Sequence, residues 1–266
     1  MIRICFAGIT GWTAPPIVAA IDRADDLELT AGVARSAAGQ SLAARSAAGG
    51  IIYASVAEAL ASTEADVLVD YTSATAVRGN VWAAVQAGVH AVIGSSGLTE
   101  QDYAELDRLA RHRGVGVIAA GSFSVMAAIL RRAAALAAQH LDQWEIIDYA
   151  SDGKPDVPSG TARELAESLA RIRQPALTVA LPDLQGPPEA RGADVAGTRI
   201  HSVRLPSFVV STEVVFGGPG ERLVIRHDPG LTAAPYVAGT LLAIRRVAEA
   251  VGVRRGLDSL LFAESG

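Results

Sequence analysis

The sequence predicts an α/β fold in two parts: a doubly wound parallel sheet, and an α+β domain whose sheet is mixed or antiparallel. In residues 1–124, short apolar runs alternate with helix-length amphipathic segments, the pattern of a parallel sheet with crossover helices. A glycine-containing turn at 8–14 joins the first apolar run to the first helical segment. Beyond Phe123 this alternation stops. We therefore expect one domain from residues 1–124 and 233–266, and a second from 125–232.

The first part contains five apolar runs with the composition of buried strands. Amphipathic segments near 14–21, 75–87 and 100–111 predict the helices between them, and Thr99 is a suitable N-cap for the last. Strands that alternate with helices in this way predict a parallel sheet covered on both faces. The five runs lie at 2–7, 27–34, 67–71, 91–93 and 116–120.

The second part has a different rhythm. An alanine-rich helix over 126–139 precedes a strand at 145–149, a loop that contains Lys154, and a helix from about 161 to 173. A proline-rich linker then crosses the surface without regular structure. Antiparallel strands follow, and a closing helix packs back on the first domain. These strands lie at 198–205, 209–216 and 222–227 with a turn at 217–220, and the helix spans 233–251.

Composition excludes several classes of function. Half of the 266 residues are hydrophobic and 19% are charged, which is enough for a sizeable core. The net charge of −5 gives no basic surface for nucleic acid. The one cysteine, Cys5, lies in an apolar run, so we expect a buried thiol and a reducing, cytoplasmic setting. Neither a signal peptide nor a membrane span is predicted, and the scattered histidines predict no metal site.

The turn at 8–14 (Gly-Ile-Thr-Gly-Trp-Thr-Ala) has the features of a phosphate-binding turn. It follows the first strand and opens the first helix, where glycines let backbone N–H groups approach a pyrophosphate. The alternative is a simple strand-to-helix connector. The spacing differs from Gly-x-Gly-x-x-Gly, so the position in the fold carries the prediction of a dinucleotide-binding domain. The candidate contacts are Gly8, Thr10, Gly11, Trp12 and Thr13.

The end of the second strand bears on which dinucleotide binds. An acidic residue that would hold a ribose 2′-hydroxyl is expected there, but the chain has Arg35 and Ser36. These side chains are suited to a 2′-phosphate through charge-assisted hydrogen bonds. We therefore predict NADPH, with NADH possible, and the alternative is a solvent-facing arginine after a strand.

The chain contains 22 arginines and a single lysine, Lys154. An ammonium is a compact charge that can also release a proton, whereas guanidinium is a wide planar fork. A lysine kept where arginine is otherwise preferred indicates a tight site, and the alternative is a stray surface residue. The surrounding segment, 153–161, is Gly-Lys-Pro-Asp-Val-Pro-Ser-Gly-Thr.

This segment carries a family resemblance. Glu-Ile-Ile-Asp at 145–148, followed by Lys-x-Asp-x-Pro-Ser-Gly-Thr-Ala at 154–162, resembles the 4-hydroxy-tetrahydrodipicolinate reductase (dihydrodipicolinate reductase) family. Further segments resemble that family in the same order, so the resemblance covers nearly the whole chain. They lie at 7–11, 92–98, 122–124 and 220–227.

The resemblance implies a Rossmann-like cofactor domain and a substrate domain that also forms a homotetramer. It implies hydride transfer from a nicotinamide to a cyclic, conjugated imine that bears carboxylates. Lys154 would meet the substrate, and Ser159, Gly160 and Thr161 would hold a carboxylate. A helix that begins there favours an anion through its N–H groups and dipole, although simple N-capping is the alternative. The residues implied near the nicotinamide are Gly94, Ser96, Ser122 and Phe123, and Thr72 is a further candidate cofactor contact.

The chain also departs from the family pattern. Ala150 and Ser151 stand where the family has two adjacent histidines, and Ser211 stands where another histidine is usual. Alanine cannot donate a proton, so the expected acid is missing. We predict a divergent member of the family that reduces a different carboxylate-bearing cyclic imine or conjugated imino acid. Two alternatives are the family's ordinary reductase and a non-catalytic NADPH-binding protein.

The missing histidines leave other candidates for the proton donor. Lys154 is the leading one, with Tyr149, Asp152 and His201 in reserve. His201 is also a candidate substrate contact, although a histidine satisfied within its strand is the simpler interpretation.

Overall fold

The computed structural model describes residues 1–262 and divides the chain into two compact units. The first unit contains residues 1–125 and the chain from Ala233 onward, and the second contains Met126–Thr232. Residues 263–266 of the predicted first domain lie outside the described residues.

The first unit is built on a seven-stranded parallel sheet in the order β12-β6-β5-β4-β1-β2-β3. Order 3-2-1-4-5-6 with helices on both faces is the Rossmann arrangement. The predicted Rossmann-like fold class is therefore confirmed. The strands, numbered in chain order, are β1 (Ile2–Ala7), β2 (Leu27–Val33), β3 (Ile52–Tyr53), β4 (Val67–Asp70), β5 (His90–Ile93), β6 (Gly116–Ala119) and β12 (Gly252–Arg255).

Continuous apolar strands and one-sided helices make the core of this unit. All four residues of β4 and all four of β6 are buried, as expected for strands covered on both faces. Helix α3 buries Val77, Val81 and Val85, which recur every four residues and so share one face. The helices are α1 (Ala14–Ile21), α2 (Val56–Ser62), α3 (Val77–Gln86), α4 (Glu100–Arg113), α7 (Val237–Arg246) and α8 (Asp258–Leu261).

The second unit is a mixed five-stranded sheet in the order β11-β10-β7-β9-β8. Strand β7 alternates buried and partly exposed residues, so one face packs against helices and the other stays open. Trp144 and Ile146 belong to the buried face and pack in one cluster with residues of the two helices of this unit, at 125–140 and 160–170. The elements are α5 (Val125–His140), β7 (Gln143–Ala150), α6 (Gly160–Ala170), β8 (Ala193–Val195), β9 (Thr198–Arg204), β10 (Val210–Gly218) and β11 (Glu221–His227).

The sequence prediction was wrong about the closing helix. Helix α7 ends at Arg246, a 3-10 turn follows, and β12 then joins the edge of the parallel sheet beside β6. Gly252 opens this strand with φ of +97°, a conformation that an L residue rarely adopts. Four residues carry too little periodicity to signal a strand. The sequence prediction also missed helix α2, of seven residues, and strand β3, of two residues, because such short segments show little periodicity.

The predicted antiparallel pairing of the late strands was also partly wrong. Strand β9 pairs with β7 in parallel and does not pair with β10, because β7 lies between them. The linker, predicted to be irregular, contains 3-10 turns at Leu181–Asp183 and Pro188–Arg191 and then β8. Pairing partners of strands that are distant in sequence are set by the tertiary fold.

Helix α4 offers a test of local stability. The Thr99 side chain accepts a hydrogen bond from Asp102 N at 3.1 Å, and Asp102 Oδ2 accepts one from Thr99 N at 2.9 Å. The bond from Thr99 N, together with bonds from the Thr99 hydroxyl and from Arg78, lowers the pKa of the Asp102 carboxyl to about 2. We expect Thr99→Ala to lower the free energy of unfolding by about 1 kcal/mol, and Thr99→Ser to retain most of it.

Urea denaturation would measure both variants. Because the Asp102 pKa is depressed in the folded state, its contribution is present above the unfolded value of about 3.9 and is lost as the pH falls toward 2. The difference between the wild type and Thr99→Ala should shrink over that interval. Equal stability of the two proteins at neutral pH would contradict the role of this cap.

Candidate active site

The turn after β1 requires glycine at its first position. Gly8 has φ of +87°, and a Cβ atom there would lie 2.1 Å from the carbonyl oxygen of Tyr71. The Gly8 N–H donates to Val33 O at 2.9 Å, and the Gly11 N–H donates to Gly8 O at 2.8 Å. The turn is therefore a tight backbone loop at the carboxyl end of β1.

The turn leaves backbone donors for an anion. Pro15 and Pro16, in the first turn of α1, have no N–H, and the Ala14 N–H donates to Gly11 O. Within residues 1–262, three turn amides have no hydrogen-bond partner: those of Thr10, Trp12 and Thr13. A loop without side chains at its glycines and with unsatisfied amides fits a pyrophosphate. The Trp12 ring, which is half exposed, lies against Tyr236 with 6.0 Å between ring centroids.

Tyr71 forms the floor beneath this turn. Its ring stacks on Phe6 and meets the edge of Phe123, each at 6.1 Å between centroids. Its hydroxyl is 2.6 Å from Thr240 Oγ1, and burial raises the pKa of the phenol. A Cβ at Gly94 would come within 2.2 Å of the ring. The tyrosine therefore explains why glycine is required at both predicted positions, Gly8 and Gly94.

Asp70, at the end of β4, anchors the polar residues next to it. Its carboxylate is fully buried and accepts hydrogen bonds from Thr72 Oγ1 at 2.8 Å, from Asn80 Nδ2 at 2.8 Å, and from Ser95 Oγ. The predicted contact Thr72 is thereby fixed in place. Sequence reasoning missed Asp70, Asn80 and Ser95, although a carboxylate that ends a wholly apolar run is a recognisable signal.

The predicted cofactor residues all follow the carboxyl ends of strands. Arg35 and Ser36 lie in an exposed 3-10 turn after β2. Ser96 is exposed after β5, and Ser122 accepts a hydrogen bond from Ser124 N at 3.2 Å after β6. The carboxyl ends of parallel strands meet at one edge of the sheet, where ligands bind in open α/β folds. The structure thus brings these residues to one edge of the first unit.

In the second unit, the loop that carries Lys154 (residues 151–158, the lysine loop) and the start of α6 form one polar cluster. Lys154 Nζ lies 2.7 Å from Asp156 Oδ1, and both side chains are about three-quarters buried, with exposed fractions of 27% and 23%. Ser159 is the N-cap of α6, and its side chain accepts a hydrogen bond from Ala162 N at 3.3 Å. The Gly160 N–H has no partner within residues 1–262. Thr161 follows it and is partly buried.

A buried ion pair supports this cluster. Asp148 is fully buried, and its Oδ2 lies 2.8 Å from Arg204 Nη2 and accepts a hydrogen bond from Ser159 N at 2.8 Å. Arg204 Nη2 also donates to the carbonyl oxygen of Asp156 at 2.9 Å. Sequence reasoning assigned neither residue a role. Asp148 occupies a buried position of the alternating strand β7, which was the available signal.

The structure does not bring Tyr149 or His201 to the lysine loop. Tyr149 stacks on Phe208 at 5.1 Å, and the Arg226 guanidinium lies 4.7 Å from its ring centroid. His201 Nε2 lies 2.6 Å from Glu145 Oε2. Side chains alternate along a strand, so Tyr149 and Glu145 lie on the face opposite Asp148.

The remaining positions near the loop are also accounted for. Asp152 is exposed and accepts a hydrogen bond from Gly153 N at 3.1 Å, which shapes the turn. Of the three positions where the resemblance implies histidines, Ala150 is fully buried, Ser151 is partly buried, and Ser211 is buried. Among the described residues, no group of three or more histidine, cysteine or acidic side chains is arranged to hold a metal ion.

No helix within residues 1–262 combines the length and the apolar character needed to cross a membrane.

Comparison with protein families gives two adjoining matches. Residues 2–123 match the family model described as dihydrodipicolinate reductase, N-terminus, and residues 122–261 match dihydrodipicolinate reductase, C-terminus. The chain is 37% identical over 267 residues to the 4-hydroxy-tetrahydrodipicolinate reductase of Geobacillus kaustophilus, with 98% of this chain and 99% of the relative covered. It is 34% identical over 263 residues to the enzyme of that name from Corynebacterium diphtheriae, with 98% of each covered.

Solved structures agree with these matches. A dipicolinate-bound dihydrodipicolinate reductase from Paenisporosarcina sp. TG-14 is 28% identical, covers 97% of this chain and 99% of its own, and superposes with a TM-score of 0.75. An amine dehydrogenase from Mycobacterium smegmatis covers 97% of this chain and 95% of its own with a TM-score of 0.63, and at 17% identity it shows the fold alone. The predicted class, an NAD(P)H-dependent oxidoreductase, is confirmed, and the chain belongs to the dihydrodipicolinate reductase family.

Proposed function

We propose that this chain is an NAD(P)H-dependent reductase of a C=N group in a cyclic imine or conjugated imino acid that carries a carboxylate. The observation that carries the proposal is the cluster in the second unit, where the one lysine lies five residues before Ser159, the N-cap of α6. An ammonium and a helix N-terminus, here with an unpaired Gly160 amide within residues 1–262, both favour an anion. The dipicolinate bound to the Paenisporosarcina relative is a cyclic compound that bears carboxylates, and it supports the same chemistry here.

The first unit would hold the dinucleotide, which supplies a hydride when bound. The amides of Thr10, Trp12 and Thr13 would bind the pyrophosphate, and Arg35 with Ser36 would bind a 2′-phosphate. The other proposed contacts line the same edge of the sheet. They are Gly8, Gly11, Thr72, Gly94, Ser96, Ser122 and Phe123.

Lys154 is the proposed proton donor. Addition of a hydride to the carbon of a C=N group leaves the nitrogen to take a proton, and neither Ala150 nor Ser151 can supply an imidazole for this step. Asp156 holds the lysine side chain at 2.7 Å. An ammonium has three protons, so Lys154 can keep this contact while it donates to a substrate carboxylate or nitrogen. A substrate that arrives as an iminium needs Lys154 only to bind its carboxylate.

A second candidate substrate is 4-hydroxy-tetrahydrodipicolinate itself. Relatives named for that activity match 98% of the chain at 34–37% identity. The absence of the histidine pair favours a different imine, because a positioned acid contributes roughly 100-fold to 10,000-fold to the rate. The homotetramer and the cytoplasmic setting remain predictions, and light scattering would measure the first.

A substrate panel tests the proposed function. The purified protein is assayed for NADPH and NADH oxidation with 4-hydroxy-tetrahydrodipicolinate and with five- and six-membered cyclic imino acids, each paired with its decarboxylated analogue. We expect turnover only of carboxylate-bearing imines, and a lower KM for NADPH than for NADH. Turnover of the analogues at equal kcat/KM would contradict the carboxylate site. Tight NADPH binding without any turnover would favour a non-catalytic protein.

The lysine has a direct test. Lys154→Ala should lower kcat/KM for the best substrate by about 100-fold or more, since it removes both a charge-assisted contact and a proton donor. Lys154→Arg should restore little, because guanidinium is wide and does not release its proton. Arg173→Ala, which changes an exposed cation in the same unit, is the control and should keep full activity. Full activity of Lys154→Ala would remove the proposed role.

The phosphate turn is tested by a pair of glycine variants. Gly8→Ala should abolish measurable NADPH binding or folding of the turn, because the new Cβ would overlap the Tyr71 carbonyl. Gly79→Ala is the matched control: this glycine lies in α3 with no atom within 4 Å of a new Cβ. Alanine there should stabilise the protein by roughly 0.5–1 kcal/mol and leave binding unchanged. Fluorescence titration would measure NADPH binding by both variants. Normal binding by Gly8→Ala would show that the turn is not part of the NADPH site.

A further inference from the structure

We propose that Arg204 is a positioning residue for the substrate carboxylate, which it serves by fixing the lysine loop to α6 and by offsetting the buried charge of Asp148. This inference rests on the proposed function, because it concerns the anion that the cluster would bind. It assigns a role to two residues that touch neither the substrate nor the cofactor in the proposal.

The Arg204 guanidinium joins three segments of the second unit. Its Nη2 donates to Asp148 Oδ2 at 2.8 Å and to the Asp156 carbonyl oxygen at 2.9 Å. Its Nη1 donates to the carbonyl oxygens of Asp148 at 3.1 Å and Val203 at 3.0 Å. The Arg204 side chain is 14% exposed. The planar fork thus ties β7 and β9 to the loop that carries Lys154.

Asp148 completes the connection on the helix side. Its Oδ2 accepts from Ser159 N at 2.8 Å and from Ser202 Oγ at 3.2 Å. Ser159 is the N-cap, so this bond sets where α6 begins and where the Gly160 N–H lies. One carboxylate and one guanidinium therefore fix both components of the proposed anion site, the Lys154 loop and the helix start.

The charge of Asp148 makes the arginine necessary for anion binding. A fully buried carboxylate bonded to the residue before Gly160 would repel a substrate carboxylate at the same helix start. Asp148 Oδ1 is buried and has no hydrogen-bond partner within the described residues. The negative charge of Asp148 is therefore compensated mainly by Arg204 and by the hydrogen bonds to Oδ2. Removal of the guanidinium would leave a negative charge beside the anion site.

A structural role alone would give a different result from this electrostatic one. If Arg204 only holds the fold, removal of both partners should be as harmful as removal of the arginine. If Arg204 also offsets charge, neutralising Asp148 in the same protein should recover part of the lost affinity. A double variant therefore distinguishes the structural role of Arg204 from the electrostatic one.

The experiment measures binding of pyridine-2,6-dicarboxylate to the full chain at saturating NADPH by calorimetry, with NADPH affinity measured separately. Four variants are compared with the wild type: Arg204→Met, Arg204→Lys, Asp148→Asn combined with Arg204→Met, and Arg199→Met. Arg199 is the matched control, since it lies on β9, is 10% exposed and forms an ion pair with Asp194. Melting curves establish that each variant is folded.

We expect Arg204→Met to weaken dicarboxylate binding by at least about tenfold while NADPH affinity stays within about twofold. The double variant should bind more tightly than Arg204→Met, Arg204→Lys should be intermediate, and Arg199→Met should match the wild type. If Arg204→Met does not fold, the ranking of Arg204→Lys and the double variant against the wild type decides the question.

Three results would overturn the inference. Wild-type affinity in Arg204→Met is one, and a folded double variant that binds no better than a folded Arg204→Met is the second. The third is wild-type affinity in both Arg204→Lys and the double variant where the methionine variant is unfolded. Failure of the wild type itself to bind the dicarboxylate would contradict the proposed function, and the inference with it.

Discussion

The buried ion pair of Asp148 and Arg204 is the interaction on which the candidate substrate site depends. A carboxylate with no exposed surface is unfavourable unless it is paired and hydrogen-bonded, and here the pairing draws the Asp156 carbonyl and the Ser159 amide to the same place. The loop that carries Lys154 is otherwise a short irregular segment between a strand and a helix. The charge pair beneath it bonds to the Asp156 carbonyl and to the Ser159 amide, so buried residues contact both ends of the proposed anion site.

The first unit has a comparable dependence on one buried side chain. The Tyr71 ring and backbone approach Gly8 and Gly94 so closely that neither position admits a side chain. The adjacent Asp70 fixes Thr72 and Ser95 through buried hydrogen bonds. In both units, a carboxylate at or near the end of an apolar strand orders the polar groups that follow it. Such carboxylates hold a site in shape without contacting a ligand.

Membership of the dihydrodipicolinate reductase family is compatible with a changed reaction centre. The turn at 8–14 and the Lys-x-Asp-x-Pro-Ser-Gly-Thr segment resemble the family, and the same resemblance implies a histidine pair where this chain has Ala150 and Ser151. In the proposed function, carboxylate anchoring does not require the histidines, because it uses Lys154 and the start of α6. In that proposal, Lys154 is both the cation of the anchor and the proton donor, so it links the two roles.

The sequence by itself determined the alternation of strands and helices in the first part, the glycine turn, and the helix that follows the Ser159 cap. These features are local, because the spacing of apolar residues, caps and glycines is written along the chain. The tertiary structure decided the rest. It placed β7 between β9 and β10, added β12 to the parallel sheet, and turned Tyr149 and His201 to the face opposite Asp148. It also paired Asp148 with Arg204, residues 56 positions apart. Strand order and the face that a side chain occupies depend on contacts between distant segments, and no local pattern encodes them.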